Sequence, residues 1–346
     1  MYMALSSMRP CSCWKCLNKE AEPVRRGIAC LMILLLLCPA IPGYCAEDDE
    51  MTIMEKILSV KKTMPDKSLF DNLPILSKKE MGMPIGAITY QWKEGRFTAD
   101  VHFGANMPVT PLRDIHGRFK AISGEAEYGY LLYLPENFDP AREYPTILFL
   151  HGIGERGSNP ADLIPYGPFQ YILAGNELDM IIIAPQVEKE NHWVEDPNEG
   201  EVDTQMKRLS LFLDQMKQKY PIDESRIYLT GLSMGGRGTY KLACYLPDTF
   251  AAVAACCGRA GVREEPYHFF YDLSKMADQP VWLIHGLADT TVDANHSLAA
   301  MDRLLSLNEE GNFRLTLYPG VGHASYDIIY RDPALYTWLS QWRRGE

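Results

Sequence analysis

The sequence predicts an α/β fold, a mostly parallel sheet with helices on both faces. Three observations carry that prediction. From about residue 127 onward, short apolar runs alternate with stretches of helical periodicity. The apolar runs are nearly continuous, as strands buried on both faces must be. A small-residue turn, Gly231-Leu232-Ser233-Met234-Gly235, joins one such run to a helical stretch. At 346 residues with 47% hydrophobic side chains, the chain can bury a sizeable core as one large domain with an added segment.

Strands are expected at residues 128–134, 146–150, 180–184, 226–230, 251–255, 281–284 and 314–318. Residues 202–220 carry Met206, Leu209, Leu213 and Met216 at the spacing of one helix face. Further helices are expected at 236–245, 294–307 and 333–342. The last presents Leu335, Trp338, Leu339 and Trp342 at helical spacing, a pattern that reads as core rather than as a ligand platform. Residues 47–126 break the alternation. A short amphipathic helix fits 50–62, and Tyr90, Trp92 and Phe97 suggest one or two antiparallel strands over 85–101. Pro108, Pro111, Gly117 and Gly124 punctuate a loosely structured approach to the main domain. The expected organisation is therefore a leader at 1–46, a small N-terminal extension at 47–126 packed beside the sheet, and the main domain at 127–346.

The leader has the layout of a secretory signal peptide. Arg25 and Arg26 precede an apolar run from Ile28 to Cys38, and Pro39, Pro42 and Gly43 break that run before Ala46, the expected cleavage region. The run falls short of the ~20 residues a spanning helix needs, so no stable membrane insertion is expected after cleavage. Met3 or Met8 is an alternative start. Six of the nine cysteines lie in this leader. Cys244, Cys256 and Cys257 remain, and the adjacent pair follows an apolar run, which favours buried free thiols over a disulfide framework. Without the leader the chain carries 29 basic against 43 acidic residues, a balance that argues against nucleic acid as a partner. His102, His116, His268 and His296 share no ligand spacing with carboxylates, so neither a metal nor another cofactor is expected.

A serine after a strand, on a turn too tight for side chains, projects its hydroxyl at the end of a sheet. A hydroxyl is a weak nucleophile at neutral pH and needs a general base and an acid that orients it. Both follow downstream at strand ends. Asp289 stands in His285-Gly286-Leu287-Ala288-Asp289, and His323 closes Tyr318-Pro319-Gly320-Val321-Gly322-His323. Asp293 competes with Asp289 but suits the cap of the next helix. The charge on a tetrahedral intermediate needs donors. The N–H of Met234 is one, and the glycine-rich loop from His151 to Gly157 supplies the other through Ile153, with Gly152 the fallback. His151 and His285 read as structural polar residues, and Glu155 and Arg156 as local supports of that loop. Trp193, in the loop after Ala184-Pro185-Gln186, and Tyr326 are candidates for substrate contact.

The segments LHGIGERG, APQ, RIYLTGLSMGGRGTY, HGLADTTV and YPGVGHASYD, in this order, resemble the α/β-hydrolase superfamily. More narrowly, the chain is similar to secreted esterase-type hydrolases often labelled predicted peptidases, including feruloyl and acetylxylan esterases. The resemblance covers roughly residues 127–342 and implies Ser233 as acyl-forming nucleophile, His323 as general acid/base, Asp289 as its orienter, and Ile153 and Met234 as oxyanion donors. It implies an ester substrate, a small molecule or one linked to a polysaccharide, while the signal-peptide layout of the leader points to secretion or a periplasmic location. A serine peptidase of the same fold is the alternative, made less favourable by the absence of a preceding propeller. A non-catalytic binding protein on a hydrolase scaffold is a third reading, disfavoured because every part of the site stands. Oligomeric state is not legible in the sequence.

Overall fold

A computed structural model of the chain describes residues 86–94, 96–103, 118–194, 203–262 and 268–345. The signal-peptide reading, the helix expected at 50–62 and the approach through Pro108, Pro111 and Gly117 fall outside these residues.

The strands are β1 (Gly86–Lys93), β2 (Arg96–Phe103), β3 (Phe119–Ile122), β4 (Gly129–Tyr133), β5 (Tyr144–Leu150), β6 (Ile181–Gln186), β7 (Ile222–Leu232), β8 (Ala252–Cys256), β9 (Gly261–Val262), β10 (His268–Phe269), β11 (Val281–Gly286) and β12 (Phe313–Tyr318). Ten of them form one sheet in the order β2-β1-β12-β11-β8-β7-β5-β6-β4-β3, while β9 and β10 pair as a small separate ribbon. From β12 across to β6 all neighbours are parallel. Antiparallel strands finish both edges. Every residue of β5, β6, β8 and β11 is buried, which is why these segments read as continuous apolar runs.

Side chains alternate between two apolar layers along each central strand. Leu148 and Leu150 of β5 enter one layer with helices α2 (Thr204–Lys219), α3 (Met234–Tyr245) and α4 (Asn295–Leu307). Ile147 and Phe149 enter the other with α1 (Phe169–Leu173), α5 (Tyr326–Ile329) and α6 (Pro333–Ser340). The expected α/β sandwich of helix, sheet and helix is thus present.

The N-terminal strands depart from expectation in their position. They do not pack beside the sheet; they extend it. β1 pairs antiparallel with β12, with Ile88 opposite Leu317 and Tyr90 opposite Leu315, and the Thr89 and Thr316 hydroxyls meet at 2.8 Å. Without β1, the outer side of β12 would present an unpaired row of N–H and C=O groups. Ala87, Ile88, Tyr90 and Trp92 are buried on joining it. At the other end of the sheet, β3 precedes residue 127 yet pairs with β4, so the sheet runs across that expected boundary.

Trp282 of β11 shows how a helix is anchored to the sheet. Its indole N–H donates to Thr316 Oγ1 at 3.0 Å, its ring meets Trp338 of α6 edge-on at 5.3 Å, and the Arg314 guanidinium lies 3.8 Å from its centroid. Trp282→Ala should lower stability by about 3–5 kcal/mol in denaturant unfolding, the range for deleting a large buried aromatic. A loss under about 1 kcal/mol would mean that α6 is held elsewhere.

Candidate active site

The geometry begins at the end of β7. Ser233 has φ 53° and ψ −113°, a left-handed backbone conformation that a side-chain-bearing residue rarely adopts. Its N–H donates to Cys256 O and its carbonyl accepts from Arg237 N, both at 3.0 Å, so the strained residue is tied to β8 on one side and to α3 on the other. The flanking glycines are required by close approach. A Cβ on Gly235 would stand 1.9 Å from Leu150 O, and one on Gly231 would stand 2.4 Å from Gly235 O. The first turn of α3 therefore presses directly on the end of β5.

Four strand ends converge at this edge. β7 delivers Ser233, β11 runs into the turn bearing Asp289, β12 into the turn bearing His323, and β5 into the loop starting at His151. Ser233 Oγ lies 2.8 Å from His323 Nε2, and His323 Nδ1 lies 2.7 Å from Asp289 Oδ2. The Asp289 side chain is fully buried while that of His323 remains 23% exposed, so the imidazole faces the opening and the carboxylate stands behind it. Asp293, the competing carboxylate, accepts instead from Asn295 N at the start of α4.

Asp289 is heavily solvated by protein. Its Oδ1 accepts from Thr291 N at 2.8 Å and Val292 N at 2.9 Å, and His285 Nε2 lies 3.3 Å from Oδ2. Burial opposes its ionisation, but the hydrogen bonds from His285, His323 and Val292 outweigh burial and hold the carboxyl well below its usual range. Burial likewise disfavours a charged His323, yet the bond to Asp289 prevails and raises its pKa above the ordinary 6.5. His285 is itself fixed by Ser297 Oγ at 2.8 Å and Val292 O at 2.9 Å, the structural role expected of it.

The loop after β5 is held rigidly from below. His151 donates from Nδ1 to Gly152 O at 2.6 Å and accepts at Nε2 from Val187 N at 3.1 Å, which defines a neutral ring. Burial pushes its pKa down to about 4, in keeping with that form. Gln186, from the APQ segment, donates to Glu155 O at 2.9 Å, and Arg156 donates to Ile153 O at 3.0 Å and Asn191 O at 3.2 Å. Ile153, 52% exposed as a residue, opens a short 3-10 turn, Ile153–Glu155, and Met234 opens α3, where the N–H has no partner four residues back. The two expected donors thus begin two segments that abut where Gly235 meets the Leu150 and His151 carbonyls.

Of the two candidates for substrate contact, Tyr326 lies beside the site and Trp193 beneath it. The Tyr326 ring is half-buried and stands edge-on to His323 at 6.1 Å. Trp193 has no exposed surface. Its Nε1 donates to His151 O at 2.8 Å, and its ring packs against His151 at 4.9 Å and Tyr128 at 5.8 Å. The indole is a brace for the loop, not a pocket wall, because an apolar ring with one satisfied donor is more stable in the core than in water. Cys257 is the buried free thiol the sequence led us to expect, and its place near His323 is what the sequence did not show. It has φ 42°, donates its N–H to Ile284 O at 2.8 Å and is fully buried, with His323 among the groups acting on its thiol. Its place immediately after β8 was the signal available.

Trp193→Phe retains most of the ring packing but leaves His151 O without its donor. Thermal or denaturant unfolding should register a loss of about 1–3 kcal/mol. Unchanged stability combined with altered substrate preference would return Trp193 to the pocket.

A match to the Phospholipase/Carboxylesterase family spans residues 139–331, more than half of the chain. Among curated proteins, the chain is 28% identical over 162 residues to a bifunctional acetylxylan esterase/xylanase of Neocallimastix patriciarum, covering 47% of this chain and 21% of that protein. It is 28% identical over 129 residues to a probable feruloyl esterase C of Aspergillus terreus, covering 37% and 46%. It is also 24% identical over 252 residues to a dipeptidyl-peptidase 5 of Porphyromonas gingivalis, covering 60% and 35%. The chain spans less than half the length of each of these relatives. A thermostable esterase of known structure shares the fold with a TM-score of 0.52 and 24% identity, over 72% of this chain and 68% of that one. With its parallel sheet and its elbow serine at the strand ends, the chain belongs to the Phospholipase/Carboxylesterase family of α/β-hydrolases.

Proposed function

We propose that this chain is a secreted serine esterase that cleaves carboxylic esters through an acyl-enzyme. The observation that carries the reading is the continuous hydrogen-bonded series from Ser233 Oγ to His323 to the buried Asp289, at 2.8 and 2.7 Å. Ser233 Oγ attacks the ester carbonyl carbon while His323 Nε2 takes the hydroxyl proton, and ionised Asp289 stabilises the imidazolium that forms. The N–H groups of Met234 and Ile153 receive the developing oxyanion, a contribution of about 10²–10³ in rate per donor. His323 then gives the proton to the departing alkoxide; a water deprotonated by the same nitrogen attacks the acyl carbon, and the proton passes on to Ser233 Oγ as its bond to that carbon breaks and the acid leaves.

The substrate class follows by likeness to the acetylxylan and feruloyl esterases: an acyl group on a bulky alcohol such as a polysaccharide. Between β8 and β11 the described residues form only the β9–β10 ribbon and one short turn, Leu273–Met276, which favours an open cleft. Export rests on the layout of residues 1–46. Among the described residues no helix is long and apolar enough to cross a membrane.

A fluorophosphonate probe should label the protein at Ser233 and leave Ser233→Ala unlabelled; labelling that survives the substitution removes the nucleophile assignment. Feruloyl, acetyl and short-chain aryl esters should turn over, and peptide amides should not. Turnover of amides alone would favour the peptidase reading, to which the likeness to dipeptidyl-peptidase 5 also points.

The raised pKa of His323 sets the pH dependence. Its neutral form is the base, so kcat/KM should fall on acidification through a midpoint above 6.5, while Asp289 stays ionised across the same range. A profile with its midpoint below 6.5 would mean that another group governs the reaction.

A further inference from the structure

The neighbouring strands β8, β7, β5 and β6 each send a basic side chain to the edge that bears Ser233. Arg259 follows β8, Arg237 stands one helical turn after Ser233, Arg156 lies in the loop after β5, and His192 lies in the loop after β6. They form one cluster. Arg156 Nη1 is 3.2 Å from His192 Nε2, His192 also feels the charge of Arg237, and Arg237 and Arg259 share the Phe270 ring at 4.9 and 5.3 Å.

Among the described residues these arginines have no carboxylate partner, a trait shared with Arg303, Arg331 and Arg344, and what distinguishes them is their convergence on one another at the edge that bears Ser233. Elsewhere Arg118, Arg142, Arg208 and Arg226 are paired with carboxylates, as a chain of net charge −11 readily allows. In the cluster every polar partner is neutral. Arg156 donates to the carbonyls of Ile153 and Asn191, Arg237 Nε to the Tyr271 hydroxyl at 3.0 Å, and Arg259 Nε to Gly261 O at 3.4 Å. No described Asp or Glu forms an ion pair with any of the three. Neutral acceptors and an aromatic ring orient a guanidinium without cancelling its charge, and a half-buried guanidinium with free donors is suited to a carboxylate. Glu155 and Asp327, described carboxylates that act on Tyr326 beside the site, pair with none of the three, which leaves the guanidinium charge to a ligand.

Resting on the esterase reading above, we propose that this cluster is a carboxylate subsite: the ester this chain cleaves carries an anionic carboxylate, in its acyl group or in its alcohol, bound by Arg237 with Arg156 and Arg259 in support. Recognition of an anion by an otherwise acidic protein concentrates the attraction at the site, while the rest of the surface repels.

Two substrate pairs test the two sources. 4-Nitrophenyl hemisuccinate against 4-nitrophenyl pentanoate varies charge on the acyl side, and acetylated methyl glucuronoside against acetylated methyl glucoside varies it on the alcohol side. The wild-type protein should prefer the anionic member of one pair by about tenfold or more in kcat/KM, mainly through KM. Arg237→Gln should reduce that ratio by about tenfold, Arg237→Lys by less, and 0.5 M NaCl should compress it in the wild type. Equal treatment of both pairs, or a ratio indifferent to Arg237 and to salt, overturns the subsite. Binding of hemisuccinate and of methyl glucuronoside to Ser233→Ala protein, with and without Arg237→Gln, reads the subsite without turnover. Binding that depends on Arg237 in a protein whose wild type hydrolyses no ester would retain the subsite and reject the esterase. Ester turnover with no such binding or preference would do the reverse. Unfolding curves for each variant separate lost recognition from lost folding.

Discussion

The contact on which the rest of the structure depends is the closure of α3 onto the end of β5. Gly235 carries no side chain, so the backbone of the helix's first turn lies directly against the Leu150 and His151 carbonyls. That approach forces Ser233 into its left-handed conformation and holds it there. Strain of this kind costs about 1–3 kcal/mol and persists only where surrounding structure over-determines it. Here the determinants are the bond to Cys256 O, the bond from Arg237 N and the packed layers on both faces of the sheet. The same contact brings the start of the Ile153 turn next to the start of α3. The position of the hydroxyl and the positions of the Met234 and Ile153 N–H groups are therefore one geometric fact.

Behind the hydroxyl, charge is managed in layers. Asp289 is a buried carboxylate kept ionised by two backbone N–H groups and two imidazoles, and one of those imidazoles, His285, is locked by groups that do not reach the opening. His151, on the other side, is held neutral by burial and by its two backbone partners. Three histidines close to one serine thus have three different electrostatic roles, each set by what the two ring nitrogens touch. At the same edge of the sheet the partners of Arg156, Arg237 and Arg259 are carbonyls, a phenol and a ring, so their charge is not offset by a described carboxylate.

Much of this was legible from residue order because the physics is local. The seven strands read from apolar runs are all present, since burial on both faces leaves a continuous signature. Ser233, Asp289 and His323 were identifiable because each ends or follows a strand in a short turn. The misread residue, Trp193, failed for a non-local reason. Nothing in the loop sequence reveals that its indole N–H finds His151 O, 42 positions earlier. The placement of β1 was hidden for the same reason. An alternating strand shows that it has a buried side, but not which edge of the sheet it completes. The arginine cluster was equally invisible, because its members come from three separate loops and the start of α3 and become neighbours only through strand order.

The pairing of β1 with β12 has a consequence in time as well as in space. Thr89 and Thr316 meet across 227 residues of sequence, and closing so long a loop must precede any reward from the contact. During synthesis the β1–β2 hairpin can form early, yet its other side waits for the last strand of the sheet to emerge. That strand is also the one whose turn carries His323. β12 therefore supplies both the edge that β1 seals and the turn that sets His323 Nε2 2.8 Å from Ser233 Oγ, so the sealed edge and the Ser233–His323 contact share one strand.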